Sequence, residues 1–218
     1  MPFKTPSGES VYIREHLAKE TEPLLKEMTA FADEHYVPIL LPESAALLKQ
    51  IVMLKRPKKT LEIGTAIGYS TQLILRSGGE HVYTIEIKDE LVERAKRYLE
   101  RAGLDHRVTF FAGDASEILP LAGGEYDFVF MDGPKTRYIE FLPHIMRMLR
   151  PGGVLLCDNV LWNGMVTGKT ETQKSKSTIV HGLDAFLSAI CSDPELTTSI
   201  LPVGDGMSLS IKRLTKAR

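Results

Sequence analysis

Two aspartates, an asparagine and a lysine are spaced so that they could act together. Asp132 closes the apolar run YDFVFM. Asp158 closes GVLLC and is followed at once by Asn159. Lys135 lies on the turn just past Asp132. Two carboxylates and an amide, with no cysteine or histidine among them, form an all-oxygen donor set. Such a set suits a hard divalent ion, Mg²⁺ or Ca²⁺, rather than zinc. Mg²⁺ would keep other positions for water or substrate oxygens. A hydroxyl bound to such a cation is acidified, and a lysine beside a cation has a lowered pKa. Lys135 is therefore a candidate to take the proton from a substrate hydroxyl. Standing alone, DGPK would be read as a turn with a surface lysine.

A second constellation lies in TLEIGTAIGYS, residues 60–70. It reads as a short buried strand, a glycine turn and the first turn of a helix, with Ser70 at the N-cap. Glycines Gly64 and Gly68 permit a sharp turn or the close approach of a ligand to the backbone. Doubly wound α/β folds hold nucleotide-like ligands at such turns. The dinucleotide pattern G-x-G-x-x-G is missing, because Thr65 and Ala66 follow Gly64. Glu62, at the end of the strand, suits a ligand that carries an ammonium or sulfonium. Glu86 lies about 20 to 25 residues past the glycine turn, where an acid commonly accepts hydrogen bonds from ribose hydroxyls. It is expected at an exposed strand end. Glu62, Glu86, Asp132 and Asp158 each close a strand, and Asp114 follows another after a short turn. In a parallel sheet these ends share one edge, so the acids converge on one cleft. The plainer reading of any single one is a cap on the next helix.

The elements that must position these residues follow from periodicity. From residue 60 onward short apolar runs alternate with helical periods, which predicts βαβ units and a mostly parallel sheet. The runs are HVYTIE, VTFFAG, YDFVFMD and GVLLCD. Between them are helices at 89–103, with Asp89 at the N-cap and Gly103 closing it, and at 139–149, stopped by Pro151, Gly152 and Gly153. A helix at 178–191 precedes two last strands, 198–201 and 207–212, which read as a hairpin. Residues 10–35 are helical with a break at Pro23, and Pro42 starts another helix. The run KRPKK enters the first strand at its amino end and reads as a solvated connection. At 218 residues, the chain is expected to be one domain, 1–218, with the helices of about 10–55 packed on or beside its core. No apolar run is long enough to span a membrane, and the first residues lack the apolar region of a secretory signal. Cys157 and Cys191 make no C-x-x-C, which suits a reducing, cytoplasmic setting. The formal net charge of −1 gives no global footprint for nucleic acid.

The segments LEIGTAIGYS, YTIE, GDA, MDGPKTRY, LRPGGVLLCDNVLW and LPVGDG stand in the order found in the cation-dependent O-methyltransferases. The chain resembles the catechol and caffeoyl-coenzyme A enzymes of that family over nearly its whole length. D-x-x-K-x-x-Y followed by D-N is the more specific part of the match, and E-x-G-x-x-x-G resembles motif I of class I methyltransferases. The resemblance implies a doubly wound, Rossmann-like α/β fold with a seven-stranded, mostly parallel sheet and a C-terminal antiparallel hairpin. It implies S-adenosylmethionine and Mg²⁺, or another hard divalent cation, as cofactors. It assigns the metal to Asp132, Asp158 and Asn159, and the base to Lys135. It lines the cofactor site with Glu62, Gly64, Ser70, Glu86, Asp114, Ala115 and Asp132, and places Tyr138 and Asp205 near cofactor or substrate. A homodimer is implied as well.

The match has departures. Pro42, Glu43 and Ser44 stand where plant-type enzymes carry a Gly-Gln pair, and residues 163–177 show no substrate-recognition segment of that type. HYVPI, PKKTLEIGTAIGYS and LPVGDG look most like bacterial tRNA 5-hydroxyuridine methyltransferases. The acceptor implied is thus a catechol-like small molecule or 5-hydroxyuridine in tRNA. Lys169, Lys174 and Lys176 could meet phosphates or could belong to a solvated loop. A non-catalytic S-adenosylmethionine-binding regulatory protein is the alternative from another class. A nucleotide-dependent oxidoreductase is disfavoured by the missing G-x-G-x-x-G.

Overall fold

The apolar runs become strands. These are β1 (Lys59–Ile63), β2 (His81–Glu86), β3 (Val108–Ala112), β4 (Tyr126–Met131), β5 (Leu149–Cys157), β6 (Leu196–Leu201) and β7 (Met207–Lys212). The computed structural model describes residues 8–17, 19–168 and 177–214. The seven strands form one sheet in the order β3-β2-β1-β4-β5-β7-β6. The first five pair in parallel, and β7 runs antiparallel to both β5 and β6. Strand order reverses between β1 and β4. That switch point is where a doubly wound sheet opens a crevice at its carboxyl edge. The glycine turn after β1 and Asp132 after β4 both lie there.

All six residues of β4 are buried. A strand covered on both faces reads as a continuous apolar run rather than an alternating one. Phe128 and Phe130 join one core with Leu24, Leu25 and Met28 of helix α2 (Pro23–His35) and Leu48 and Val52 of α3 (Pro42–Lys55). Val129 and Met131 point to the other core, with Phe141 and Ile145 of α7 (Tyr138–Met148) and Leu183 and Phe186 of α8 (Ser177–Ser192). Leu73 and Ile74 of α4 (Tyr69–Arg76) belong to the first core. Helices α2 and α3 are therefore part of the layer that covers the sheet. α1 (Gly8–His16) is tied to α3 by a forked ion pair, Arg14 Nε and Nη2 donating to Glu43 at 2.7 and 2.9 Å.

The break at Pro23 and the helix start at Pro42 fall as expected, whereas several other boundaries differ from the sequence expectation. Pro23 and Pro42 both sit in first turns, where a missing N–H costs nothing. α5 (Asp89–Arg101) takes Lys88 as N-cap, so Asp89 is its first residue and acts on the helix dipole rather than as a capping acceptor. Gly103 ends that helix with φ +68°. α7 stops at Met148, because Leu149 is already extended and pairs with Tyr126. Arg150, Pro151, Gly152 and Gly153 thus lie within β5 as a bulge, between the pairs Leu149–Tyr126 and Val154–Phe128. Among the described residues no helix is long and apolar enough to cross a membrane.

Candidate active site

Gly64 brings the two constellations together. Its φ is +98°, and a Cβ there would lie 2.6 Å from the Asp132 carbonyl oxygen. Only glycine allows both the backbone conformation and this approach. Gly64 N donates to Ile85 O at 3.0 Å, and Asp132 N donates to Ile63 O at 2.9 Å. The turn 64–68 and the end of β4 therefore share one wall.

Glu86 reaches the turn from β2. Its Oε2 accepts from Ala66 N at 2.9 Å and its Oε1 from Lys88 N at 3.0 Å. It is 9% exposed, not at an exposed strand end as expected, because the turn folds over it. A carboxylate offers about four lone-pair sites, so two remain for a ligand. Ser70 is not the N-cap: α4 starts at Tyr69 with Gly68, φ +80°, as its cap. The Ser70 hydroxyl donates instead to Glu62 Oε1 at 2.7 Å. Glu62 is fully buried and also accepts from Thr71 and Thr84. Burial pushes its carboxyl up to about 7 against the pull of those three hydroxyls. Asp114 also serves as a helix cap. It caps α6 (Ala115–Leu121), accepting from Ser116 N at 2.8 Å and Ser116 Oγ at 2.6 Å, and these bonds hold it below the usual carboxylate range. Ala115 follows it, buried, at the same strand edge.

On the other side of the switch point, Met131 and Cys157 are register partners, which puts Asp132 and Asp158 side by side one residue later. Lys135 Nζ donates to Asp132 Oδ1 at 2.6 Å, with both side chains largely covered. Asp158 is 2% exposed. Burial first, then the charge of Asp132, raises its pKa, and Lys135 counters only in part. Asn159 follows with φ +57°, a conformation that asparagine tolerates better than most residues. Among the described residues no three His, Cys, Asp or Glu side chains gather as a metal cage. The set here is two carboxylates and an amide. Two adjacent acids, one of them buried, with a single lysine to neutralise them, are a donor set of the right hardness and sign for a divalent cation.

Tyr138 is not at the cleft surface. It is fully buried, and its hydroxyl lies 3.0 Å from Met131 O and 3.1 Å from Asp158 O. It ties the ends of β4 and β5 together and so buttresses both aspartates. Asp205 accepts from Asn163 N through its carboxylate and from Leu161 N through its carbonyl. It anchors the segment after Asn159 to the β6–β7 turn. Lys169, Lys174 and Lys176 lie outside the described residues.

Sequence reasoning missed Ser44, whose Oγ lies 3.5 Å from Asp158 Oδ1. It also missed Thr71 and Thr84. Thr84 is the register partner of Glu62, a pairing that aligning β1 with β2 would have exposed. Trp162 was passed over too. Among the described residues its Nε1 is buried without a hydrogen-bond partner, three positions past Asn159, and a buried donor left unpaired is rare.

The model of the family described as O-methyltransferase matches residues 14–213. A caffeoyl-CoA O-methyltransferase from Medicago sativa is 31% identical over 92% of this chain and 83% of its own length. The O-methyltransferase from Bacillus cereus, solved in complex with SAH, superposes with a TM-score of 0.82 at 25% identity, covering 94% of this chain and 97% of that one. The O-methyltransferase TomG from Streptomyces achromogenes, solved with SAM, gives 0.80 at 27% identity over 94% and 96% of the two chains.

Proposed function

The chain belongs to the O-methyltransferase family, and we propose that it moves a methyl group from S-adenosylmethionine to a hydroxyl of a small acceptor, with a divalent cation held by Asp132, Asp158 and Asn159. The observation that carries this reading is the contact of Gly64 with Asp132, which sets the cofactor turn directly against the acid–lysine cluster.

S-Adenosylmethionine supplies an electrophilic methyl carbon on its sulfonium. A bound divalent cation would supply charge to acidify the acceptor hydroxyl and would relieve Lys135 of neutralising Asp132. The residues of the chain do the rest. Glu86 has lone pairs for the ribose hydroxyls, and the turn 64–68 lets the ligand lie against the backbone. Ala115, beyond the Asp114 cap, closes the side of that site. In the ion pair Asp132 holds the Lys135 ammonium beside the place of reaction. Freed of that pair and as the neutral amine, Lys135 Nζ takes the proton of the acceptor hydroxyl, and the acceptor oxygen takes the methyl carbon as its bond to sulfur breaks. The protein's part is positioning and electrostatics.

For the acceptor we favour a small molecule with neighbouring oxygens, in line with relatives named for caffeoyl-CoA. 5-Hydroxyuridine in tRNA is the competing acceptor. Two unpaired cysteines, Cys157 buried and Cys191 exposed, suit a reducing compartment. Incubation with labelled S-adenosylmethionine, Mg²⁺, a panel of catechols and tRNA lacking the modification tests the reading. Label on a phenolic oxygen is expected. Label on tRNA alone would replace the acceptor. Label on neither, with cofactor still bound in calorimetry, would favour the regulatory alternative.

A further inference from the structure

Glu62 closes the first strand of a cofactor fold, yet it has no exposed surface. A ligand cannot touch it without displacing the turn above. Its oxygens are already in use: Ser70 Oγ lies 2.7 Å from Oε1, and Thr71 Oγ1 and Thr84 Oγ1 lie 2.5 and 2.6 Å from Oε2. Thr65 Oγ1 is 2.5 Å from Thr84 Oγ1. Each hydroxyl has one proton to give. Thr84 gives its own to Glu62, so Thr65 must donate to Thr84. Four hydroxyl protons thus run toward one carboxylate.

The four donors come from three segments. Thr84 is the partner of Glu62 across β1 and β2. Thr65 lies within the glycine turn, and Ser70 and Thr71 are in the first turn of α4. All four are buried. The first turn of a helix has unpaired N–H groups and the positive end of the dipole, so it favours an anion there. Burial and the charge of Asp132 work against ionisation, and the hydroxyls work for it. From the opposite side Glu86 holds Ala66 N. The turn 64–68 is thereby fastened at its start, its middle and its end.

We propose that Glu62 is a positioning residue for the cofactor site. Acting through Ser70, Thr71 and Thr84, it locks the first turn of α4 against β2, so the turn 64–68 has its binding shape before the ligand arrives. The inference rests on the cofactor reading above, and its test separates the two.

Amide hydrogen exchange over residues 64–72 in cofactor-free protein is compared for wild type, Glu62→Ala, Glu62→Gln and Thr71→Val. S-Adenosylhomocysteine affinity is measured by calorimetry on the same samples. Glu62→Ala should speed exchange there by about tenfold or more. It should weaken affinity roughly ten- to a hundredfold, as expected for loss of charge-assisted bonds. The kcat at saturating cofactor should stay within about threefold, the signature of lost binding rather than lost chemistry. Glu62→Gln, which keeps an acceptor and the shape, should recover most of the protection. Thr71→Val removes a single donor and should show the same trend more weakly, which keeps the test open if Glu62→Ala does not fold. Unchanged exchange in both Glu62→Ala and Thr71→Val would overturn the proposal, whatever the affinities. If wild type binds no S-adenosylhomocysteine, the methyl-transfer reading fails, and the exchange comparison still decides the role of Glu62.

Discussion

On the β1–β2 side of the switch point, Glu62, Thr65, Ser70, Thr71 and Thr84 are buried and bonded to one another, whereas on the β4–β5 side Asp132 and Asp158 face a single lysine. The first arrangement compensates its charge internally. The second sets two acids side by side where burial and their mutual repulsion make charge costly. A fold retains such a cluster where it binds something or does chemistry. The contrast divides the labour at the edge of the sheet: one side is a preformed cradle, the other a reactive cluster. Gly64 against Asp132 is the seam between them.

The comparison breaks most sharply at Asp158. Asp158→Ala should lower methyl transfer by about a thousandfold, since the charge stabilisation at stake amounts to several kcal/mol. S-Adenosylhomocysteine affinity, read by calorimetry, should change by no more than about threefold, because the cradle lies across the seam. An equal loss of affinity would show that the two sides are not separate. Lys135→Ala comes next. Loss of a general base should lower kcat by roughly a hundred- to ten-thousandfold. The KM for the cofactor should hold, and steady-state kinetics checks both.

Glu86→Ala should do the reverse. Affinity for the cofactor should fall roughly ten- to a hundredfold, with two backbone donors also left to water, while kcat at saturation is largely kept. Isothermal calorimetry against steady-state kinetics reads that split. The smallest effect concerns pH. The Glu62 carboxyl is raised from its ordinary 4.5 to about 7. Its contribution to stability is thus fully present below pH 4.5 and lost as pH rises through 7. Melting curves between about pH 5 and 8 should therefore show wild type losing a few degrees relative to Glu62→Gln, with the gap opening toward the alkaline end.

The sequence made the outer features legible and the inner ones not. Strand ends, the glycine turn and the D-x-x-K and D-N pairs are local patterns, and Asp132 and Asp158 are indeed neighbours across β4 and β5. What failed depended on what lies above or beside a residue. Glu86 looks exposed at a strand end until the turn folds over it. Ser70 looks like a cap until Gly68 takes that place and leaves its hydroxyl to Glu62. Tyr138 sits in a motif, but the motif does not tell that its hydroxyl meets two main-chain carbonyls. Ser44 meets Asp158 from a helix far away in the chain, a contact that no spacing rule encodes.

The most direct test of the account is the rate of methyl transfer from labelled S-adenosylmethionine to a catechol as divalent cation is removed and returned. A chelator should abolish transfer, Mg²⁺ should restore it, and S-adenosylhomocysteine binding should be unaffected throughout. Transfer at the full rate in excess chelator would contradict the account.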